Sequence, residues 1–231
     1  MLASARRSMY TPSAFREVGT ARVHEILARY PFATLLVPQA DGESPLVSHI
    51  PLLHADNELH GHVAKVNAIA RLEGSVRALA IFHGPNAYVS PSWYETKQAT
   101  GKAVPTWNYI AVHVHGSLRV EKDRDWILQN VSALSDTHEA AMEAPWRVDD
   151  APTAYIDTLL RSIVGLRLSI DSIESQFKLS QNKQAGDFSA SSTGCDRRPT
   201  TPAATTSQRG WSALKTRSAS SFFLATLKNT I

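Results

Sequence analysis

The sequence predicts an α+β fold, mainly antiparallel β, in which a barrel is decorated by peripheral helices. Apolar runs of strand length follow one another through short turns: FATLLVP (residues 32–38), the turn signal Asp41-Gly42, LVSHIPLLH (46–54) and LHGHV (59–63). A long strand beyond Val104 then alternates. Val104, Thr106, Asn108, Ile110, Val112, Val114 and Leu118 fall on one side, and Trp107, Tyr109, His113, His115 and Arg119 on the other, the period of a sheet with two different faces. Helical periods sit at the ends and between strands instead of alternating with them one for one, which argues against βαβ winding.

Each element has its own signal. SMYTPSAF reads as an extended lead-in, because Pro12 disfavours helix at Thr11. A helix over residues 20–30 follows from Val23, Ile26, Leu27 and Tyr30 at i, i+3, i+4, i+7, with Pro31 just beyond. Residues 65–74 have the composition of a short helix, and RALAIFHG (77–84) that of a buried strand. ETKQATGKA (95–103) is polar and contains glycine, the mark of a surface loop. Asp123 is placed to cap a helix carrying Trp126, Ile127, Asn130, Val131 and Leu134. Residues 153–163 give a further helix, and 165–179, with Leu166, Leu168 and Ile170 alternating, the closing strand.

The formal charge of +3 is not spread evenly. Residues 189–231 hold six Lys/Arg against one acid, a net of +5, so the other 188 residues hold 18 basic and 20 acidic groups, a net of −2. The pI therefore gives no reason for the folded part to bind nucleic acid through a general field. Ser and Thr make up 16 of those 43 residues, without a helical or strand period. We read residues 1–188 as the folded domain and 189–231 as a disordered basic tail, from a shifted reading frame or a divergent end. SSFFLATLKNTI, at its end, has the apolarity of a short helix or an aggregation-prone segment. No apolar run approaches eighteen residues and MLASARRSMY lacks a signal-peptide core, so a cytoplasmic protein with no membrane partner is expected. The single cysteine, Cys195, rules out an intramolecular disulfide framework.

Absent motifs narrow the chemistry. There is no GxGxxG, GxxxxGK[ST], HExxH or GxSxG, which leaves dinucleotide folds, P-loops, zincins and serine hydrolases without local support. His60/His62 and His113/His115 project in pairs from strand faces, a geometry a metal can use, but no carboxylate lies among them in the sequence and no metal site is expected. SHIPLL followed by GHVAKVN has a different character. Lys65 supplies charge, and Ser48, Asn67 and the start of the following helix supply hydrogen bonds, as a phosphate monoester requires. Pro51 removes a ladder donor and opens the strand edge towards a planar ring. Pro91, Trp93 and Tyr94 of VSPSWY read as the seal of a barrel end, with direct stacking on a flavin as the alternative.

Together, FATLLV, SHIPLL, GHVAKVN, IFHGPNAYVSPSWY, VPTWNYIAVHVHG and FKLSQNK resemble the PaiB family of FMN-binding negative transcriptional regulators, from about Met9 to Asp187. The resemblance implies an FMN-binding split barrel, a homodimer with FMN at the subunit interface. It implies that Ser48, His49, Ile50 and Pro51 line the isoalloxazine and that His62, Lys65 and Asn67 surround the phosphate. Trp107, Asn108, Lys178 and Gln181 would complete the pocket or the dimer contact. Two departures stand out: Val66-Asn67-Ala68-Ile69-Ala70 lacks the proline of the family's Asn-Pro turn, and the text after Phe188 departs from the family's short C-terminal helix.

The resemblance implies a regulator more than an enzyme, acting on DNA directly or through a partner; the catalytic residues of an enzyme are not identified. A flavin-dependent oxidoreductase of the same fold, with His49 or His113 tuning the flavin, and a cofactor-free binding module with a decayed site are the alternatives. No helix-turn-helix, zinc finger or basic recognition helix is recognisable.

Overall fold

A computed structural model describes residues 9–17, 19–39 and 42–197. In chain order the elements are α1 (Thr20–Arg29), β1 (Phe32–Val37), β2 (Leu46–Pro51), β3 (Leu53–Ala55), β4 (Glu58–Ala64), β5 (Val76–Val89), α2 (Glu95–Thr100), β6 (Thr106–Glu121), α3 (Arg124–Glu139), α4 (Thr153–Leu160), β7 (Ile163–Lys178) and α5 (Ala185–Arg197). The strands form one seven-stranded sheet in the order β2-β1-β5-β6-β7-β4-β3. β1 pairs antiparallel with β2 and β5, and β4 with β3 and β7. The chain divides into two compact units, one built from residues 18–83 and 112–174 together with Met9, the other from 10–17, 84–111 and 175 onwards.

In the first unit the sheet curls for a reason visible in its connectivity. β2 and β3 stand at opposite ends of the strand order, yet only Leu52 separates them. Two ends joined by one residue must come together, which makes the sheet a split barrel rather than an open layer. Leu52 is buried and donates its N–H to the Pro31 carbonyl at 2.9 Å. The close approach rests on Gly61 of β4: a Cβ there would lie 2.7 Å from Leu52 Cδ2 and 3.0 Å from the Pro51 carbonyl oxygen. The core follows the expected parity, with Asn108, Ile110, Val112, Val114 and Leu118 of β6 all buried.

α3 lies against β4 and β7. Asp123 caps it, its carboxylate accepting from the Trp126 N–H at 2.8 Å. The Trp126 ring occupies the space a side chain would need at Gly165, where a Cβ would stand 2.3 Å from Cζ3. Asn130, also buried, donates through Nδ2 to the Gly61 carbonyl at 3.0 Å. Beside them, Glu58 accepts from His60 Nε2 at 2.8 Å, Arg167 at 2.8 and 3.1 Å and Ser169 Oγ at 3.0 Å. Burial would raise the Glu58 carboxyl, but the hydrogen bonds from His60, Arg167 and Ser169 and the Arg167 charge outweigh it and bring the pKa down to about 2.

In the second unit Tyr94 and Val89 are fully buried and Trp93, Ala87 and Ala103 pack against them, a small apolar cluster built on the VSPSWY segment. Lys183 Nζ lies 5.2 Å from the centre of the Tyr94 ring. α5 docks on α2, where Asp187 accepts from the Thr96 N–H at 3.1 Å.

Several expectations change. The strand expected over 46–54 breaks at Leu52 into β2 and β3, because the chain leaves one sheet end for the other there. The helix expected over 65–74 shrinks to a 3-10 turn, Ala68–Arg71. The loop expected over 95–103 contains α2, which ends where Gly101 takes φ 71° and donates to the Lys97 carbonyl at 2.9 Å. β5 runs through Pro85 to Val89, five residues past the expected end at Gly84. The tail boundary expected at Ser189 falls inside α5, a helix poor in intrinsic propensity that the α2 contact stabilises. Residues 198–231, including SSFFLATLKNTI, lie outside the described residues.

Candidate functional site

The site begins where β4 ends. Lys65 follows Ala64, its backbone N–H donating to the Ser162 carbonyl at 2.9 Å, so the β4 exit is tied to the α4–β7 junction. Lys65 thereby reaches a cleft of about 550 Å3 that it shares with Lys122, Arg124, Asp157 and Arg161, over an apolar wall including Ile127. Four cations line the cleft with Asp157, and Asp125 lies just behind Arg124, so the cations outnumber the carboxylates by two. Arg124 is already engaged by Asp157 and, at 2.9 Å, by Asp125, and Arg161 holds Thr158 Oγ1 at 2.9 Å. The cleft is net basic and of a volume usual for small-molecule pockets.

Asn67 connects this end to β2. Its Oδ1 accepts from the Ile69 N–H at 2.9 Å, capping the 3-10 turn, and its Nδ2 donates to Ser48 Oγ at 2.9 Å. The side chain replaces the rigidity of the missing proline: two hydrogen bonds fix the Val66-Asn67-Ala68 turn. It also means that Asn67 and Ser48 are spent on each other, and that a 3-10 turn, not a helix N-terminus, follows Lys65.

β2 supplies an edge. Ser48 and Ile50 are buried while His49 is exposed, so the four residues expected to line one ring do not share a face. His49 instead accepts or donates at Nδ1 with Thr34 Oγ1, 3.1 Å away. The register puts Ile50 opposite Ala33 and Ser48 opposite Leu35, in step with the bonded pair Leu52 and Pro31. The two-residue alternation of an antiparallel ladder then turns the backbone N–H and C=O of Val47 and His49 away from β1. Those backbone groups are the ones β2 leaves outside the β1 ladder.

His62 projects from the other face of β4. Its Nδ1 is buried without a hydrogen-bond partner among the described residues, and burial lowers its pKa, keeping the ring neutral. An orphaned buried nitrogen is a position a bound group can satisfy.

The four remaining residues form a cluster of their own in the second unit. Asn108 and Ser180 satisfy each other, Nδ2 to Oγ at 2.9 Å and Oγ to Oδ1 at 3.0 Å, both buried. Trp107, half exposed, donates through Nε1 to Asn86 Oδ1 at 3.2 Å and meets Tyr88 edge-on. Lys178 donates to Thr106 Oγ1 at 2.6 Å and to the Trp107 carbonyl at 2.7 Å; burial, then the nearby Lys183, lowers its pKa. Gln181 closes the turn after β7, accepting from the Leu179 N–H at 2.7 Å and donating to the Phe177 carbonyl. Because Trp107 and Asn108 are strand neighbours on opposite faces, they do not act on one ligand from one side.

Sequence reasoning missed Lys122, Arg124 and Arg161, which lie at element ends 57 to 96 residues from Lys65 (122 − 65 and 161 − 65) and share no local pattern with it.

Fold and donor set together define a flavin-binding split-barrel protein. The family model described as "Putative FMN-binding domain" matches residues 9–172, a span that stops short of Lys178 and Gln181. The chain belongs to this FMN-binding family, which includes PaiB-type proteins, and FMN is the family's cofactor. It is 31% identical to an uncharacterized protein of Emericella nidulans, covering 78% of this chain and 87% of that one. It is 28% identical to the protease synthase and sporulation protein PAI 2 of Bacillus subtilis, over 78% of this chain and 86% of the other. Among solved structures, the FAD and heme binding protein from Mycobacterium smegmatis is similar in fold, with TM-score 0.56 and 19% identity, covering 76% and 78% of the two chains. No described helix is long and apolar enough to cross a membrane.

Proposed function

We propose that this chain is an FMN-binding regulator of gene expression that acts as a homodimer. The observation that carries the flavin part of the reading is the cleft in which Lys65 stands with Lys122, Arg124 and Arg161, an excess of basic over acidic groups. A phosphate monoester carries close to two negative charges at neutral pH and asks for this donor set. In this reading the phosphate sits at Lys65 and the outward backbone groups of β2 face the ring, while His62 Nδ1 gains a partner. Asn67 and Ser48 hold the β2 edge and the Lys65 turn in register. FMN, when bound, supplies one- and two-electron redox chemistry. Trp107 and Lys178 belong, in this proposal, to the contact with the second copy.

The regulatory part rests on the relative from Bacillus subtilis, whose name ties it to protease synthesis and sporulation. Contact with DNA, direct or through a partner, follows from that likeness and from no motif of the chain.

The test is an FMN titration of the full chain followed by visible absorbance after desalting. Wild type retains flavin. Lys65→Ala and Arg161→Ala each lose roughly 10- to 100-fold in affinity, the worth of one charged hydrogen-bonded contact of about 1.5–3 kcal/mol. Equal affinity in all three proteins refutes the cleft as the phosphate site. For regulation, binding to genomic DNA fragments is compared at about 50 and 200 mM salt: a retained sequence preference supports it, whereas a collapse that is indifferent to sequence marks tail-driven adhesion. Rapid consumption of a reduced nicotinamide by the flavin-loaded chain, without DNA preference, would favour an oxidoreductase instead.

A further inference from the structure

In the sequence His113 and His115 have no carboxylate among their near neighbours. The fold supplies one. β6 and β7 are neighbours in the sheet, and Glu174 of β7 brings its carboxylate to within 3.4 Å of His115 Nε2. Ligand atoms of His113, His115 and Glu174 all lie within 4.8 Å of one another. We propose that these three residues form a binding site for a borderline divalent transition metal of the zinc class, distinct from the flavin residues.

The geometry carries the proposal. Two histidines at i, i+2 project from the same side of β6, so their rings stand side by side. In a tetrahedral site with bonds of about 2.0–2.2 Å, ligand atoms are separated by roughly 3.3–3.5 Å. The His115 to Glu174 separation already has that value. His113, within 4.8 Å of both, must close by on the order of 1 Å to reach that separation.

The surroundings are organised as well. Met9 donates its backbone N–H to Glu174 Oε2 at 2.7 Å, an orienting bond of the kind that fixes ligating carboxylates. All three residues are half-buried, the side chains of His115 and Glu174 being 26% and 28% exposed, so the cluster is reachable from solvent. Val112 and Val114, the alternating neighbours, are fully buried, so the strand that holds the imidazoles is anchored by the core. Two nitrogens and one oxygen select zinc, cobalt or nickel over calcium or magnesium, which ask for oxygen alone. Three protein ligands leave a fourth position to water, the composition of reactive rather than purely structural zinc sites.

The experiment is a titration of chelator-treated full chain with Co2+, read by the visible bands of the bound ion, followed by displacement with Zn2+. One equivalent per chain is expected. His115→Ala and Glu174→Gln each weaken binding by at least about 100-fold, the upper end of what loss of a mere outer-shell partner causes, while His138→Ala on α3 changes nothing. Thermal unfolding of each variant without metal separates lost ligation from lost folding, since Glu174→Gln keeps the side-chain shape. Binding that survives in a His113→Ala/His115→Ala chain, or no binding tighter than about 0.1 mM in the wild type, overturns the proposal. Flavin retention is measured on the same variants and is expected to be unchanged, so failure of either site is visible without the other.

Discussion

Glu58→Gln is the sharpest test of what fastens β4 to β7. The carboxylate accepts four hydrogen bonds, two of them from Arg167, and its side chain is 20% exposed. Its pKa of about 2 lies 2.5 units below the ordinary 4.5. At 1.36 kcal/mol per unit that difference corresponds to about 3.4 kcal/mol of stability at neutral pH, and allowance for solvent screening brings it to roughly 2–3 kcal/mol. The sign follows from the depression: the contribution is complete above about pH 4.5 and is lost as pH falls through about 2. Glutamine keeps the shape but turns an amide donor towards the guanidinium. Urea unfolding at pH 7, 5 and 3 should therefore show the variant less stable by about 2–3 kcal/mol at pH 7 and 5, and the gap at pH 3 shrunk to less than half. A gap that is the same at pH 3 and pH 7 would mean that packing, not the ionised carboxylate, carries the effect.

Three further outcomes are expected. Gly61→Ala, which sets a methyl 2.7 Å from Leu52 Cδ2 and 3.0 Å from the Pro51 carbonyl oxygen, should cost about 1–3 kcal/mol in chemical denaturation and loosen the Leu52 amide in hydrogen exchange. Asn67→Ala removes both the cap on Ile69 and the bond to Ser48; a loss of about 1–2 kcal/mol with a several-fold drop in retained FMN is expected, and unchanged retention would show that the turn needs no fixing. Asn108→Ala leaves the buried Ser180 hydroxyl without its partner and should lower stability by about 1–3 kcal/mol while leaving the β4 end intact, as judged by FMN titration.

Local pattern made much of the fold legible. α1, β1, β4, β6 and α3 came from periodicity and a single cap, because each buries one face and the residues on that face repeat. The elements that were missed owe their form to contacts distant in sequence. α5 is rich in Ser, Thr and Gly and is held through Asp187 by an amide 91 residues away. α2 had a readable stop in Thr100-Gly101, but its polar composition hid the rest. Of the residues lining the cleft, Lys65 lies in a stretch the sequence singles out, whereas Arg161 and Lys122 reach it from separate elements. Glu174 was invisible for the same reason, although strand parity on β7 is the kind of signal that could have placed it opposite the histidines. His49 was misjudged by treating four consecutive strand residues as one surface, when alternation sends every second side chain to the far face.

The pairing of β4 with β7 has a consequence for the order of events on the ribosome. β7 begins 99 residues after β4 ends, at Ile163 against Ala64. At about 5–20 residues per second, the growing chain carries β4 for roughly 5–20 s before its second neighbour emerges. For that interval one side of β4 has β3 and the other has nothing to pair with. Glu58, His60 and His62 fall on one face of that waiting strand, and a charged side chain on an exposed edge discourages association with other nascent chains. The same Glu58 that later fastens the barrel is thus, before Arg167 has been synthesised, its guard against premature pairing.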